Sequence, residues 1–229
     1  MPHADIIRFV EPALKAQGVN LKIVEFSDYV QPNLSLNDKE LDANFFQHKP
    51  YLDDFSAQRG LKLASLVAVH IEPMGVYSKS VKAVADTPDG AKVAIPNDPT
   101  NGGRALKVLE TAGLIKLKDG VGVLATVADV VSNPKNLKFV EIEAAQLPRS
   151  LDDVALAVIN SNFALGANLN PVKDAIAIEA KDSPYANIVA VRAGDENRPE
   201  IAKLKAALTT PDVKKFLEEK YQGAVVPAF

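Results

Sequence analysis

The segment 92–106, KVAIPNDPTNGGRAL, combines a guanidinium, two adjacent glycines and a strand-to-helix turn. A short apolar strand (Val93, Ala94, Ile95) runs into a turn of Pro96, Asn97, Asp98 and Pro99. Thr100 or Asn101 is then placed to cap a helix that opens on Gly102-Gly103 and carries Arg104 in its first turn. A helix N-terminus offers unpaired N–H groups and a partial positive charge, and glycine lets a ligand approach the backbone. A guanidinium adds a planar fork that fits a carboxylate or a phosphate. The segment reads as an anion seat. The alternative is a tight turn eased by glycine, with Arg104 a solvated surface group.

Two further groups carry polar chemistry. In DANFFQHKPYLD (42–53), Phe45, Phe46 and Tyr51 surround Asn44, Gln47 and His48, a mixture that can wall an apolar pocket with a few oriented polar groups. The same aromatics can equally pack into a core. Asn160 and Asn162 follow the apolar run VALAVI, and Asn187 precedes IVAVR. A side-chain amide both donates and accepts, so it can serve an ammonium or a carboxylate. Asparagine is also an ordinary turn residue.

Other chemistries are excluded or unsupported. The chain has no cysteine, so disulfides, thiolate metal sites and cysteine nucleophiles are ruled out within it. His3, His48 and His70 are scattered, without metal-like spacing, and no metal or cofactor is expected. No phosphate loop, dinucleotide fingerprint, GxSxG elbow or HExxH pair occurs. A net charge of -3 with interspersed signs argues against a nucleic-acid partner. No apolar run is long enough to span a bilayer, and MPHADIIRF lacks the features of a signal peptide.

These groups need elements to hold them. LKIVEF (21–26), LKLASLVAVHI (61–71), AKVAI (91–95), LKFVEI (137–142), VALAVI (154–159) and NIVAVR (187–192) read as strands. Helical faces alternate with them: Ile6, Ile7, Val10 and Leu14; Leu106, Val108 and Leu109, ending near Gly113; Val127, Val130 and Val131; and an apolar pattern from Pro199 to Tyr221. That alternation predicts an α/β fold with mainly parallel sheets. With 229 residues, one large or two modest domains fit. Turn-rich stretches at 74–92 and 183–192 are the expected crossings between two domains.

Taken together, FSDYVQPN (26–33), LDANFFQHKPYL (41–52), HIEPMGVYSK (70–79), VAIPNDPTNGGRAL (93–106), LIKLKDGVG (114–122) and LPRSLDDVALAVIN (147–160) resemble the NlpA lipoprotein family. The resemblance spans nearly the whole chain. It implies a two-lobed, type II-like periplasmic-binding-protein fold closing on a ligand in a cleft, with lobe 1 formed by 1–78 and 190–229 and lobe 2 by 79–189. The family comprises methionine-binding receptors of bacterial ABC importers, which catalyse no reaction. By position, Arg104 would hold the α-carboxylate. Asn160 and Asn187 would bind the α-amino and carboxylate groups with Asn162 as a helper, and Tyr29, Phe46, His48 and Tyr51 would surround the thioether. The implied ligand is L-methionine, a derivative or a methionine dipeptide, and the implied partners are a permease with its separate ATPase. Family members are lipid-anchored on the outer face of the cytoplasmic membrane or in the periplasm. This sequence begins where the first helix is expected, so the signal, the lipidated cysteine and the first strand are expected to be missing from it. The rivals are a receptor for another amino acid or small organic anion, a degenerate paralogue that binds nothing, and an α/β enzyme using His48 as base with Arg104 as anchor.

Overall fold

A computed structural model describes residues 1–180 and 183–229. In chain order its first elements are α1 (His3–Ala16), α2 (Gln31–Asn37), β1 (Asn44–His48), α3 (Lys49–Arg59) and β2 (Leu63–Ile71). Next come β3 (Gly75–Tyr77), β4 (Lys92–Pro96), α4 (Pro99–Thr111), β5 (Lys116–Leu117), β6 (Val130–Ser132) and β7 (Lys138–Ile142). The rest are α5 (Leu147–Ser150), β8 (Leu156–Ile159), α6 (Ser161–Gly166), β9 (Ala177–Ile178), β10 (Ala186–Arg192), α7 (Pro199–Leu208), α8 (Pro211–Tyr221) and β11 (Val226–Pro227). The chain divides into two compact units, Met1–Glu72 with Asp182–Phe229, and Pro73–Lys181. The first division precedes the turn-rich crossing expected at 74–92 and the lobe boundary expected at 78/79. The expected 189/190 division falls inside β10, which belongs whole to the first unit.

In the first unit the sheet order is β1-β10-β2-β11, and every pairing is antiparallel. β1 and β2 run the same way with α3 between them. β10 arrives from the far end of the chain and inserts between them in the opposite sense, so the parallel neighbours expected here are never adjacent. Leu36, Leu52, Ile188 and Ala190 form a core cluster on this sheet, and α1 buries Ile6, Val10 and Leu14. Asp5 of α1 accepts from Lys220 Nζ (2.9 Å) and Tyr221 Oη (3.0 Å), tying α1 to α8.

The second unit holds a five-stranded sheet, β7-β4-β8-β3-β9, in which β4 lies parallel to β7 and β8 while β3 is antiparallel to β8 and β9. Its core joins Met74, Val76, Val93, Ile95, Leu106, Leu109, Leu156 and Val158. Val93, Ala94 and Ile95 are wholly buried, which suits a strand covered on both faces.

Two local expectations fail and a third is refined. LKIVEF joins no ladder. Val24 is 46% and Phe26 38% exposed there, and a strand-like pattern becomes a strand only where an edge pairs with it. Val127–Asp129 is a single 3-10 turn leading into β6, because Val130 and Ser132 pair with β5 rather than continue a helix. The pattern from Pro199 to Tyr221 is two helices, broken where Thr210 caps α8 by accepting from the Val213 N–H (3.3 Å), with Pro211 at its start.

Candidate functional site

The anion seat is not built as the sequence suggested. α4 starts at Pro99, and Asp98, not Thr100 or Asn101, is its N-cap: the carboxylate accepts from the Asn101 N–H (2.9 Å), from Asn101 Nδ2 (3.0 Å) and from Thr100 Oγ1 (3.2 Å). The chain's own anion therefore takes the helix N-terminus. The glycines lie in the second turn and serve packing. A Cβ on Gly103 would stand 2.4 Å from the Val123 carbonyl oxygen, and one on Gly102 would stand 3.0 Å from that of Pro96. Only a residue without a side chain lets the 123–125 backbone cross the helix so closely.

Arg104 follows directly and is nearly buried, at 3% exposed. Its Nε donates to Glu179 Oε1 (3.0 Å) and its Nη2 to Glu179 Oε2 (2.5 Å), a bidentate pair. Glu179 is held in turn by the Met74 backbone N–H (3.1 Å). Arg104 is thus a fixed, charged group rather than a surface side chain. One turn earlier on α4, Asn101 accepts from Asn160 Nδ2 at 2.9 Å. Asn160 is the N-cap residue of α6, yet its side chain makes no capping bond. Its Oδ1 is buried without a hydrogen-bond partner. A buried amide oxygen left open is costly, by roughly 1–3 kcal/mol, and such atoms call for an explanation. Asn162 lies on α6, half-buried.

The first unit assembles the aromatic candidates. Tyr29, Phe46 and Tyr51 pack with ring centroids 5.9–6.0 Å apart, and Tyr51 Oη donates to the Tyr29 carbonyl (2.8 Å). His48 caps α3, its Nδ1 accepting from the Tyr51 N–H at 3.2 Å. That bond leaves the neutral ring with its proton on Nε2. Tyr185 stands edge-on to His48 at 4.9 Å. Asn44 and Gln47, read from the sequence as polar groups that can line a pocket wall, form a closed amide network with Asn33: Asn33 Nδ2 donates to Gln47 Oε1 (2.8 Å), Asn44 Nδ2 to Asn33 Oδ1 (2.8 Å) and Gln47 Nε2 to Asn44 Oδ1 (3.0 Å). Fully paired buried amides lock α2 onto β1 and so fix the strand that carries Phe46 and His48.

Asn187 lies on β10, directly opposite His48 on one side and His70 on the other. Cross-strand partners share a face of the sheet. Its Oδ1 is 2.9 Å from His3 Nε2. His3 and His70, far apart in sequence, meet here with Glu72: Glu72 Oε1 is 3.2 Å from His3 Nε2 and 2.8 Å from His70 Nε2. The three offer ligand atoms within 4.8 Å of one another, a grouping that could hold a metal ion. Against that use, His70 Nδ1 is buried with no acceptor, whereas a metal-bound imidazole ordinarily has a partner on its second nitrogen. Burial lowers the His3 pKa to about 4, with Glu72 opposing the shift and His70 adding to it.

The structure therefore groups Tyr29, Phe46, His48, Tyr51 and Asn187 in one unit, and Arg104 with Asn160 in the other. Sequence reading missed Glu179, Tyr185, His3 and Glu72 as supports. Tyr185 alone carried a local signal, an aromatic two residues before Asn187.

The NlpA lipoprotein family model matches residues 1–229. The probable D-methionine-binding lipoprotein MetQ of Vibrio cholerae is 49% identical over 214 residues, covering 93% of this chain and 80% of that protein. The methionine-binding lipoprotein MetQ of Bacillus subtilis is 44% identical, covering 99% of this chain and 84% of its own length. Among solved structures, a nutrient-binding protein from Burkholderia cenocepacia bound to methionine is 51% identical with a TM-score of 0.95, covering 99% of this chain and 95% of that one. On all three comparisons, the chain belongs to the NlpA lipoprotein family.

Proposed function

We propose that this protein is an extracytoplasmic receptor that binds L-methionine, or a methionine derivative or dipeptide, and delivers it unchanged to the permease of an ABC importer powered by a separate ATPase. The observation that carries this reading is Asn160 Oδ1, a buried acceptor without a partner, tied through Asn101 to the helix that bears Arg104. An α-amino acid supplies what the open oxygen lacks, an ammonium, and its carboxylate joins Glu179 at the fixed guanidinium. Asn187 takes a share of the carboxylate, and Asn162 assists on α6. Tyr29, Phe46, His48 and Tyr51 receive the side chain, where aromatic edges and faces suit a polarizable thioether. A lipid anchor and a place on the outer face of the cytoplasmic membrane follow from the same reading. No covalent step is needed, so the protein acts as a receptor and not an enzyme.

The test uses a ligand pair. Asn160→Leu weakens L-methionine binding by about 10- to 100-fold in calorimetry, the worth of a charge-assisted hydrogen bond. The same substitution leaves the affinity for 4-(methylthio)butanoate, which has no ammonium, within a few-fold. Equal losses for both ligands would show that Asn160 does not read the ammonium.

A further inference from the structure

We infer that His3 sets which end of the ligand Asn187 can hold, by fixing the orientation of its side-chain amide; this rests on the proposed role of Asn187 in ligand binding. An asparagine amide is ambivalent, since its two ends are a donor and an acceptor of the same shape. Something must decide which end is turned toward a ligand.

The decision is made by proton accounting around Glu72. His3 Nε2 and His70 Nε2 both lie on the same oxygen, Glu72 Oε1, at 3.2 and 2.8 Å. That oxygen accepts, so each imidazole carries its proton on Nε2. The buried, unpartnered Nδ1 of His70 agrees with this assignment, because it is the lone-pair nitrogen of that tautomer. The one His3 Nε2–H is shared between Glu72 Oε1 at 3.2 Å and Asn187 at the shorter 2.9 Å, so the Asn187 atom that meets it must also be an acceptor, Oδ1. The amide NH2 is left as the end presented to a ligand. A donor pair matches a carboxylate and repels an ammonium. Since burial holds the His3 pKa near 4, the ring stays neutral at pH 7, and protonating it would keep the same Nε2–H donor. Phe45 wedges edge-on against both rings, 4.8 Å from His3 and 5.2 Å from His70, which fixes their planes. In this arrangement His3 is a positioning residue that acts through Asn187.

The experiment compares His3→Gln with His3→Leu. Glutamine places an N–H donor near the Nε2 position; leucine fills the space without a donor. Both variants are first shown to be folded by their cooperative thermal transitions. Calorimetry is then run with L-methionine and with L-methioninamide, which has no carboxylate. The inference predicts that His3→Gln binds L-methionine within about threefold of wild type, and that His3→Leu binds it about 10- to 100-fold more weakly. His3→Leu should also lose discrimination between methionine and methioninamide by a similar factor. If His3→Leu and His3→Gln bind methionine equally, His3 only fills space and the inference is wrong. If both weaken and the ratio to methioninamide stays at the wild-type value, His3 supports the fold without orienting Asn187, and the inference is again wrong. Wild-type protein that binds no methionine at all overturns the receptor reading itself, and this inference with it.

Discussion

Arg104→Met removes methionine binding, raising Kd by about a thousandfold or more, and destabilises the protein by about 3 kcal/mol. Two effects are combined, and they separate. The binding loss follows from the role proposed for the guanidinium, which is to take the ligand carboxylate. The stability loss comes from Glu179, 11% exposed and bonded bidentately to Arg104, which would keep its charge without its cation. Breaking one side of such a pair is far worse than removing both. The double variant Arg104→Met/Glu179→Gln should therefore recover most of the stability, because a neutral amide keeps a partner in the Met74 N–H. It should recover none of the binding. Denaturant unfolding and calorimetry on the two single variants and the double variant close the cycle. Binding restored in the double variant would remove Arg104 from the ligand site.

The second large effect is acid sensitivity. The His3 pKa falls from 6.5 to about 4 on folding, chiefly through burial, with Glu72 and Asn187 opposing and His70 and the N-terminal ammonium assisting. A group whose folded pKa is lowered binds protons more readily when unfolded across the window between the two values. Stability is thus intact above about pH 6.5 and declines as pH falls toward 4. The full shift corresponds to about 3 kcal/mol at roughly 1.4 kcal/mol per unit. Urea unfolding of wild type against His3→Gln between pH 7 and pH 4 measures the difference. The variant should show a shallower decline. Parallel curves would mean that other groups govern the acid limb.

The alternation of strands and helices was legible because period-two and period-3.6 patterns are local. So were the apolar faces of α1 and α4, and the strands β2, β4, β7, β8 and β10. Failures arose where a pattern depended on a neighbour. LKIVEF has strand chemistry but no ladder, and the antiparallel sense of the first sheet depends on β10 arriving from more than a hundred residues away. At the site, Arg104 was visible as a charge beside glycines, but its partner Glu179 lies 75 positions on. The glycines showed the reverse. Their presence was obvious, yet their purpose, a close crossing of the 123–125 backbone, is invisible until the chain is folded. His3 and Glu72 illustrate the same limit, because a histidine two residues from the start has no sequence mark that ties it to Asn187. Local chemistry names candidate side chains; the groups that fix their protons and orientations come from distant segments.

The most direct measurement is a calorimetric titration of protein that has been unfolded, dialysed free of bound small molecules and refolded, with L-methionine as titrant and mass spectrometry of the recovered ligand. One methionine per chain is expected, bound tightly and recovered chemically unchanged. Absence of heat with methionine and its dipeptides, or recovery of an altered product, would contradict it.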